Sequence, residues 1–224
     1  MNGMAIVAWV GAATSLWGTG RYAIEIARGR TKPRLASWIA WGTANGVLAM
    51  VALLNDNPTA AIFNALAAAG NVGVLLLSGV KRAGEWPDTA IDRACLGISG
   101  LCLVTIVMFP HAMYLDAMLA MAANLVATWP TIEHAWRRPK EEAWQLFAAN
   151  AGANGLGLFG VATASGMSLG NIAGPFISMV GNVALVTITV GRGWLTRATR
   201  EVQGEIAKAE RLLGESGDAV EASD

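Results

Sequence analysis

Two asparagines stand out by type and spacing. Gly70-Asn71-Val72 lies in AGNVGVLLLSGVKR (residues 69–82) and returns as Gly181-Asn182-Val183 in VGNVALVTITVGRG (residues 180–193). In both copies the amide sits deep in an otherwise apolar run that ends in a cation, Lys81 or Arg192. A side-chain amide offers two donors and an acceptor, and leaving it unpaired in hydrocarbon is costly, so its return at matched depth points to a polar cavity. The chemistry this allows is hydrogen bonding to a polar, uncharged solute.

Other polar residues recur at helical spacing. Asn64 and Asn71 share a face, as do Asn150 and Asn154. Asp116, Asn124 and Thr128 form a stripe broken only by Ala120, and Pro175, Ser178 and Asn182 follow the same period. Interhelical hydrogen bonding is the competing use of such stripes. Asp116, one turn inside its run, is a candidate coupling acid. Pro130 and Pro175, inside apolar runs, are candidate hinges. Glu25 and Glu133 lie four residues from Arg21 and Arg137, which predicts local ion pairs. His134 and His111 have no ligand cluster nearby in sequence, so no metal is expected. With no Gly-rich phosphate loop, no nucleophile beside a His and no carboxylate pair at depth, neither an enzyme nor a cofactor is expected.

The elements that must position these residues are membrane spans. The chain is 54% hydrophobic and 14% charged with zero net charge, against about 25% charged for soluble domains, and a neutral chain argues against a nucleic-acid partner. Its apolar runs have the length of membrane-crossing helices and fall at residues 4–27, 35–54, 59–80, 89–109, 112–136, 143–166 and 171–191. Asp88, with Asp92 in the first turn, reads as the start of the fourth. Cys95 and Cys102, two helical turns apart, are too distant to bridge and read as buried free thiols.

In a seven-span arrangement every Lys and Arg falls on one side, whereas the turns NDNP, PHA and SGMSLGN carry none. The positive-inside rule then puts the amino terminus outside and the carboxyl terminus in the cytoplasm of a plasma (inner) membrane. Beyond Trp194, Leu195, Val202, Ile206 and Leu213 recur among basic residues. That pattern predicts an amphipathic helix on the inner membrane surface, followed by a disordered acidic tail.

The first and fifth spans extend the internal match: YAIEIARGRTKPR (residues 22–34) parallels TIEHAWRRPK (residues 131–140), and each leads to a span with an early Trp and an Asn-Gly pair, Asn45-Gly46 or Asn154-Gly155. The expected fold is an all-α bundle of seven transmembrane helices in which two parallel three-helix repeats, 1–82 and 112–193, are joined by a linker helix, 83–111, with a cytoplasmic tail at 194–224.

Residues 1 to about 193 resemble the SWEET and PQ-loop class of solute transporters, through Thr31-Lys32-Pro33, Ser37-Trp38-Ile39-Ala40-Trp41, Trp129-Pro130-Thr131-Ile132 and the paired Asn71 and Asn182. The resemblance implies that Asn71 and Asn182 contact a small polar solute such as a sugar, moved by alternating access, with Asn45, Asn150 and Asn154 as further lining. Trp38, Trp41 and Asn45 also look like the signature of PnuC vitamin transporters, which implies a nucleoside-like solute. A non-transporting membrane scaffold or sensor is the rival from another class. The partners expected are the solute and the lipid bilayer; oligomeric state stays open, a homo-oligomer included.

Overall fold

A computed structural model describes residues 3–109, 111–164 and 169–221. Pro110, residues 165–168 of the SGMSLGN turn, the last three residues, and the side chains of Arg211 and Leu213 lie outside the described set. Seven helices follow in order: α1 (Gly3–Ala27), α2 (Leu35–Leu54), α3 (Pro58–Lys81), α4 (Ala90–Met108), α5 (Met113–Arg137), α6 (Trp144–Ala164) and α7 (Leu169–Glu221), with a 3-10 turn at Pro139–Glu141. Among the described residues there is no strand beyond one isolated bridge, Arg34 to Glu85.

Local chemistry sets these bounds. Gly29, at φ 69°, takes the left-handed turn after α1. Asn57 caps α3 by accepting from the Ala60 N–H at 3.1 Å, and Pro58 opens the helix with its preset φ. α4 starts one residue later than the Asp88 reading: Thr89 is the cap, and its hydroxyl and the Asp92 carboxylate close a reciprocal capping box.

Five helices, α2 to α5 and the Gly174–Lys208 part of α7, are long and apolar enough to cross a membrane. Their outward faces carry bare aliphatic side chains, Leu76 at 66% and Val80 at 81% exposure among them, which suits lipid and not water. The protein is a helical membrane bundle.

α1 packs on α3, α3 on α2, α2 on α5, α5 on α7, α7 on α6 and α6 back on α1, so six helices close a ring; α4 lies outside it against α2 and α5. In this ring α3 and α7 stand opposite each other without close backbone approach, and Val74 of α3 and Leu185 of α7 belong to one buried apolar cluster. Fully buried alanines, Ala40, Ala44, Ala120, Ala123 and Ala127, let the backbones approach closely where dispersion and not hydrophobicity drives association. Cys95 and Cys102 are both buried free thiols, as expected.

α7 departs from expectation. It continues unbroken from the apolar segment to Glu221, so no separate surface helix begins at Trp194, and the acidic end expected to be disordered is helical that far. At 1.5 Å per residue it is about 80 Å long, more than twice the hydrocarbon thickness.

Candidate functional site

Asn71 and Asn182 are both half-buried, on the two ring helices that stand opposite each other without close backbone approach. Asn182 donates its amide to the Ser178 carbonyl one turn back at 2.7 Å. Asn45 does the same to Trp41 at 2.8 Å, Asn64 to Ala60 at 2.9 Å and Asn154 to Asn150 at 2.8 Å. Each of these spends one N–H on its own helix and keeps its Oδ1 for another donor. Asn71 makes no side-chain hydrogen bond to a described residue; α2 passes close by at Gly42, where an added Cβ would come within 3.5 Å of the Asn71 Cβ.

The remaining expected site residues divide. Asn150 is committed between helices: its Oδ1 accepts from the Ser15 hydroxyl of α1 at 2.7 Å. Asn124 reaches from α5 to the Ser178 hydroxyl of α7 at 3.3 Å. Trp38 is buried in an aromatic stack, its ring centroid 4.8 Å from Tyr22 and 5.5 Å from Trp41, and Trp41 donates its indole N–H to the Asn124 carbonyl at 3.3 Å. Pro175 lies within α7 and Pro130 within α5. Pro130 deprives the Val126 carbonyl of its helical donor, and the Cys95 thiol of α4 lies on that carbonyl at 3.4 Å. Asp116 is fully buried among α2, α4 and α5, and neither of its carboxylate oxygens has a hydrogen-bond partner.

A hollow of about 560 Å³ lies on the flank of the ring, between α4, α5 and α7. Trp129, Phe176 and Val180 line it, together with other apolar side chains, and none of the expected amides does.

A second polar assembly occupies the end of the bundle where the cations collect. Arg34, just before α2, bonds Glu85 at 3.1 Å and Asp88 at 3.1 Å, and also reaches the buried Asp92. Glu85 further takes Arg138 at 2.8 Å and faces His134 Nδ1 at 3.4 Å. Burial raises the Glu85 carboxyl, but the Arg34 bond with the nearby His134 and Arg138 overcomes it and leaves the group below its ordinary range. Glu142, between the 3-10 turn and α6, has no side-chain exposure; its Oε2 is 3.1 Å from the Tyr22 hydroxyl of α1 and its Oε1 is 3.9 Å from His134 Nε2. Burial, opposed by the Tyr22 bond and helped by Glu85 and Glu141, pushes Glu142 up to about 8.

Sequence reasoning missed this assembly. Glu133 pairs with Arg137 at 2.7 Å as expected, but Glu25 pairs with Arg28 at 3.1 Å and Arg30 at 3.6 Å, not Arg21, because the left-handed Gly29 folds the chain back over the end of α1. His134, solitary in sequence, faces Glu85, Glu141 and Glu142, although no group able to hold a metal occurs among the described residues. The usable signal was the run of Glu141-Glu142 beside cations at a span boundary.

No family model, curated protein or solved structure matches the chain.

Proposed function

We propose that this protein is a small-solute carrier of the SWEET and PQ-loop kind, working by alternating access with a polar, uncharged solute held between α3 and α7. The observation that carries the reading is Asn71: a half-buried amide that makes no side-chain hydrogen bond to a described residue, on a helix that stands opposite the one bearing Asn182 without close backbone approach. An amide left this way has hydrogen-bonding capacity that a solute can fill.

The duplication has its own support. Exchanging α1, α2 and α3 for α5, α6 and α7 leaves the ring's pattern of neighbours unchanged. A Cβ added at Gly70 would meet Thr19 Cγ2 at 3.3 Å, and one at Gly181 would meet Thr128 Cγ2 at 3.3 Å. Thr19 and Thr128 each back-bond the carbonyl four residues earlier at 3.0 Å. Buried Ser78 and Thr189 occupy matched places on α3 and α7, back-bonding Val74 at 2.6 Å and Leu185 at 2.7 Å. Two such units in parallel are the design of carriers that rock one repeat against the other. The seven-span topology, with the amino terminus outside and the cation-rich end in the cytoplasm, follows from the cation distribution.

The hydrogen bonds from Ser15 to Asn150 and from Asn124 to Ser178 favour the second reading, a scaffold or sensor whose polar stripes only hold helices together. Reconstitution in liposomes with labelled sugars and nucleosides separates them. The carrier reading expects uptake of at least one, cut at least tenfold by Asn71→Ala or Asn182→Ala with thermal unfolding unchanged. Absence of uptake across the screen, or uptake indifferent to both substitutions, overturns it. Preference for a nucleoside over every sugar would place the solute with the PnuC-like reading.

A further inference from the structure

The buried Glu142 is unlike every other carboxylate at its end of the bundle. Asp92 and Glu85 are held by arginines. Glu141 lies 3.8 Å from Lys32 and 3.6 Å from Arg138. Among the described residues Glu142 has neither Lys nor Arg within ion-pair distance, and the groups facing it are Tyr22 from α1, His134 from α5 and the acids Glu85 and Glu141. α7, which also packs on the 3-10 turn, brings Arg192 to this level, but its guanidinium lies over the Trp136 ring at 4.4 Å. α1's own charges at the rim, Glu25 with Arg28 and Arg30, satisfy one another.

Glu142 also stands at a seam. Tyr22 belongs to the first three-helix unit and Glu142 to the second. Around their contact, Tyr22 stacks edge-on against Phe147 with centroids 6.3 Å apart, and the Lys32 N–H donates to the Glu141 carbonyl at 3.3 Å. Together these close the cytoplasmic end across the two units, so opening that end requires Tyr22 and Glu142 to part and water to enter.

We propose that Glu142 is a proton-binding site that latches the cytoplasmic gate, its neutral form holding the two units together and its ionised form releasing them. This deepens the carrier reading and rests on it. In the closed gate a carboxylate would be buried beside Glu85 and Glu141 with no cation to offset it, so the proton stays on: the group titrates at about 8. In the open gate, wetted and away from those acids, it returns to the ordinary glutamate value of about 4.3. The sign follows from a raised closed-state pKa. The preference for the closed gate is full below about pH 4.3, falls roughly tenfold per pH unit above that, and is gone once pH passes about 8. Proton uptake and release both occur on the cytoplasmic side, so the device senses cytoplasmic pH and moves no net proton.

The test uses spin labels on the full chain at Arg30→Cys and Lys140→Cys, both exposed and on opposite sides of the seam; the native cysteines are fully buried and stay unlabelled. In nanodiscs without solute, electron-electron distance measurements should show a single short distance at pH 5. A longer population should grow up to about pH 8 and no further, and Glu142→Gln, which keeps the shape and stays neutral, should hold the short distance at every pH. Infrared titration at the carboxylic acid band gives an independent readout. A protonated carboxyl present at pH 7 should vanish in Glu142→Gln, and Tyr22→Phe, which removes the bond stabilising the charged form, should move its titration upward. A distance response that survives Glu142→Gln, or no such infrared band, overturns the proton site. Failure of the carrier reading shows itself separately, as absent uptake in a protein whose gate still responds to pH.

Discussion

Asp92 and Asp116 are equally buried, at the two ends of the same bundle. Asp92 accepts from the Asp88 N–H at 3.2 Å, the Thr89 N–H at 3.1 Å and the Thr89 hydroxyl at 2.8 Å, and is paired with Arg34. Among the described residues no Lys or Arg pairs with Asp116, whose two oxygens have no hydrogen-bond partner. The same residue type therefore serves two purposes: at one end it fixes an interface, and at the other its burial is an expense the fold alone does not justify.

The largest expected effect tests that contrast directly. Arg34→Ala strands Asp92 in a buried site without its cation and leaves Glu85 with Arg138 alone of its two arginines. Removing one partner of such a network costs about 3–5 kcal/mol, so thermal unfolding in detergent should fall sharply for Arg34→Ala and Asp92→Ala alike. A double variant no worse than either single one would show that the two act as a unit. If Arg34→Ala melts like the native chain, the cationic end is not held as described.

Asp116→Asn should go the other way. An amide buries at lower cost than an unpaired carboxylate, and the gain is about 1–3 kcal/mol. A coupling role predicts that this more stable protein loses the dependence of uptake on external pH. A destabilised Asp116→Asn would mean that the acid has a structural partner after all, and the contrast with Asp92 would fail.

How much of this was legible in the chain depends on how far apart the partners lie. Leu35–Leu54 is the span expected from its apolar run, because a helix of that kind is dictated by its own residues and the bilayer. The Arg34 to Glu85 pair spans 51 positions and the Tyr22 to Glu142 bond 120; no periodicity encodes such contacts, which exist only once the ring closes. His134 looked solitary for the same reason. The tail is helical as expected, but its continuity with α7 was not legible: Trp194 and the cations after it resemble an interfacial anchor, yet no Pro or Gly-Pro break stops α7 there, and helix propagation across the boundary costs little. The amides were legible by position, but not which of them would be spent on their own helix.

The smallest effect concerns the two halves and not the two ends. Gly70 and Gly181 face Thr19 and Thr128 across the same gap, with an added Cβ at 3.3 Å from the threonine methyl in each. Alanine at either position gains about 1 kcal/mol of helix propensity and loses about 1–3 kcal/mol to crowding where the methyl cannot retreat. The net expectation is a loss of roughly 1 kcal/mol at both, measured by thermal unfolding in detergent. What matters is the difference between them. Equivalent units make the two losses agree within about 0.5 kcal/mol, and Thr19→Ser should relieve Gly70→Ala as Thr128→Ser relieves Gly181→Ala, since each removes the methyl that is struck. Unequal losses, or a relief that works in one half only, would mean that the matched contacts arise in differently packed surroundings and that the halves do not move as copies.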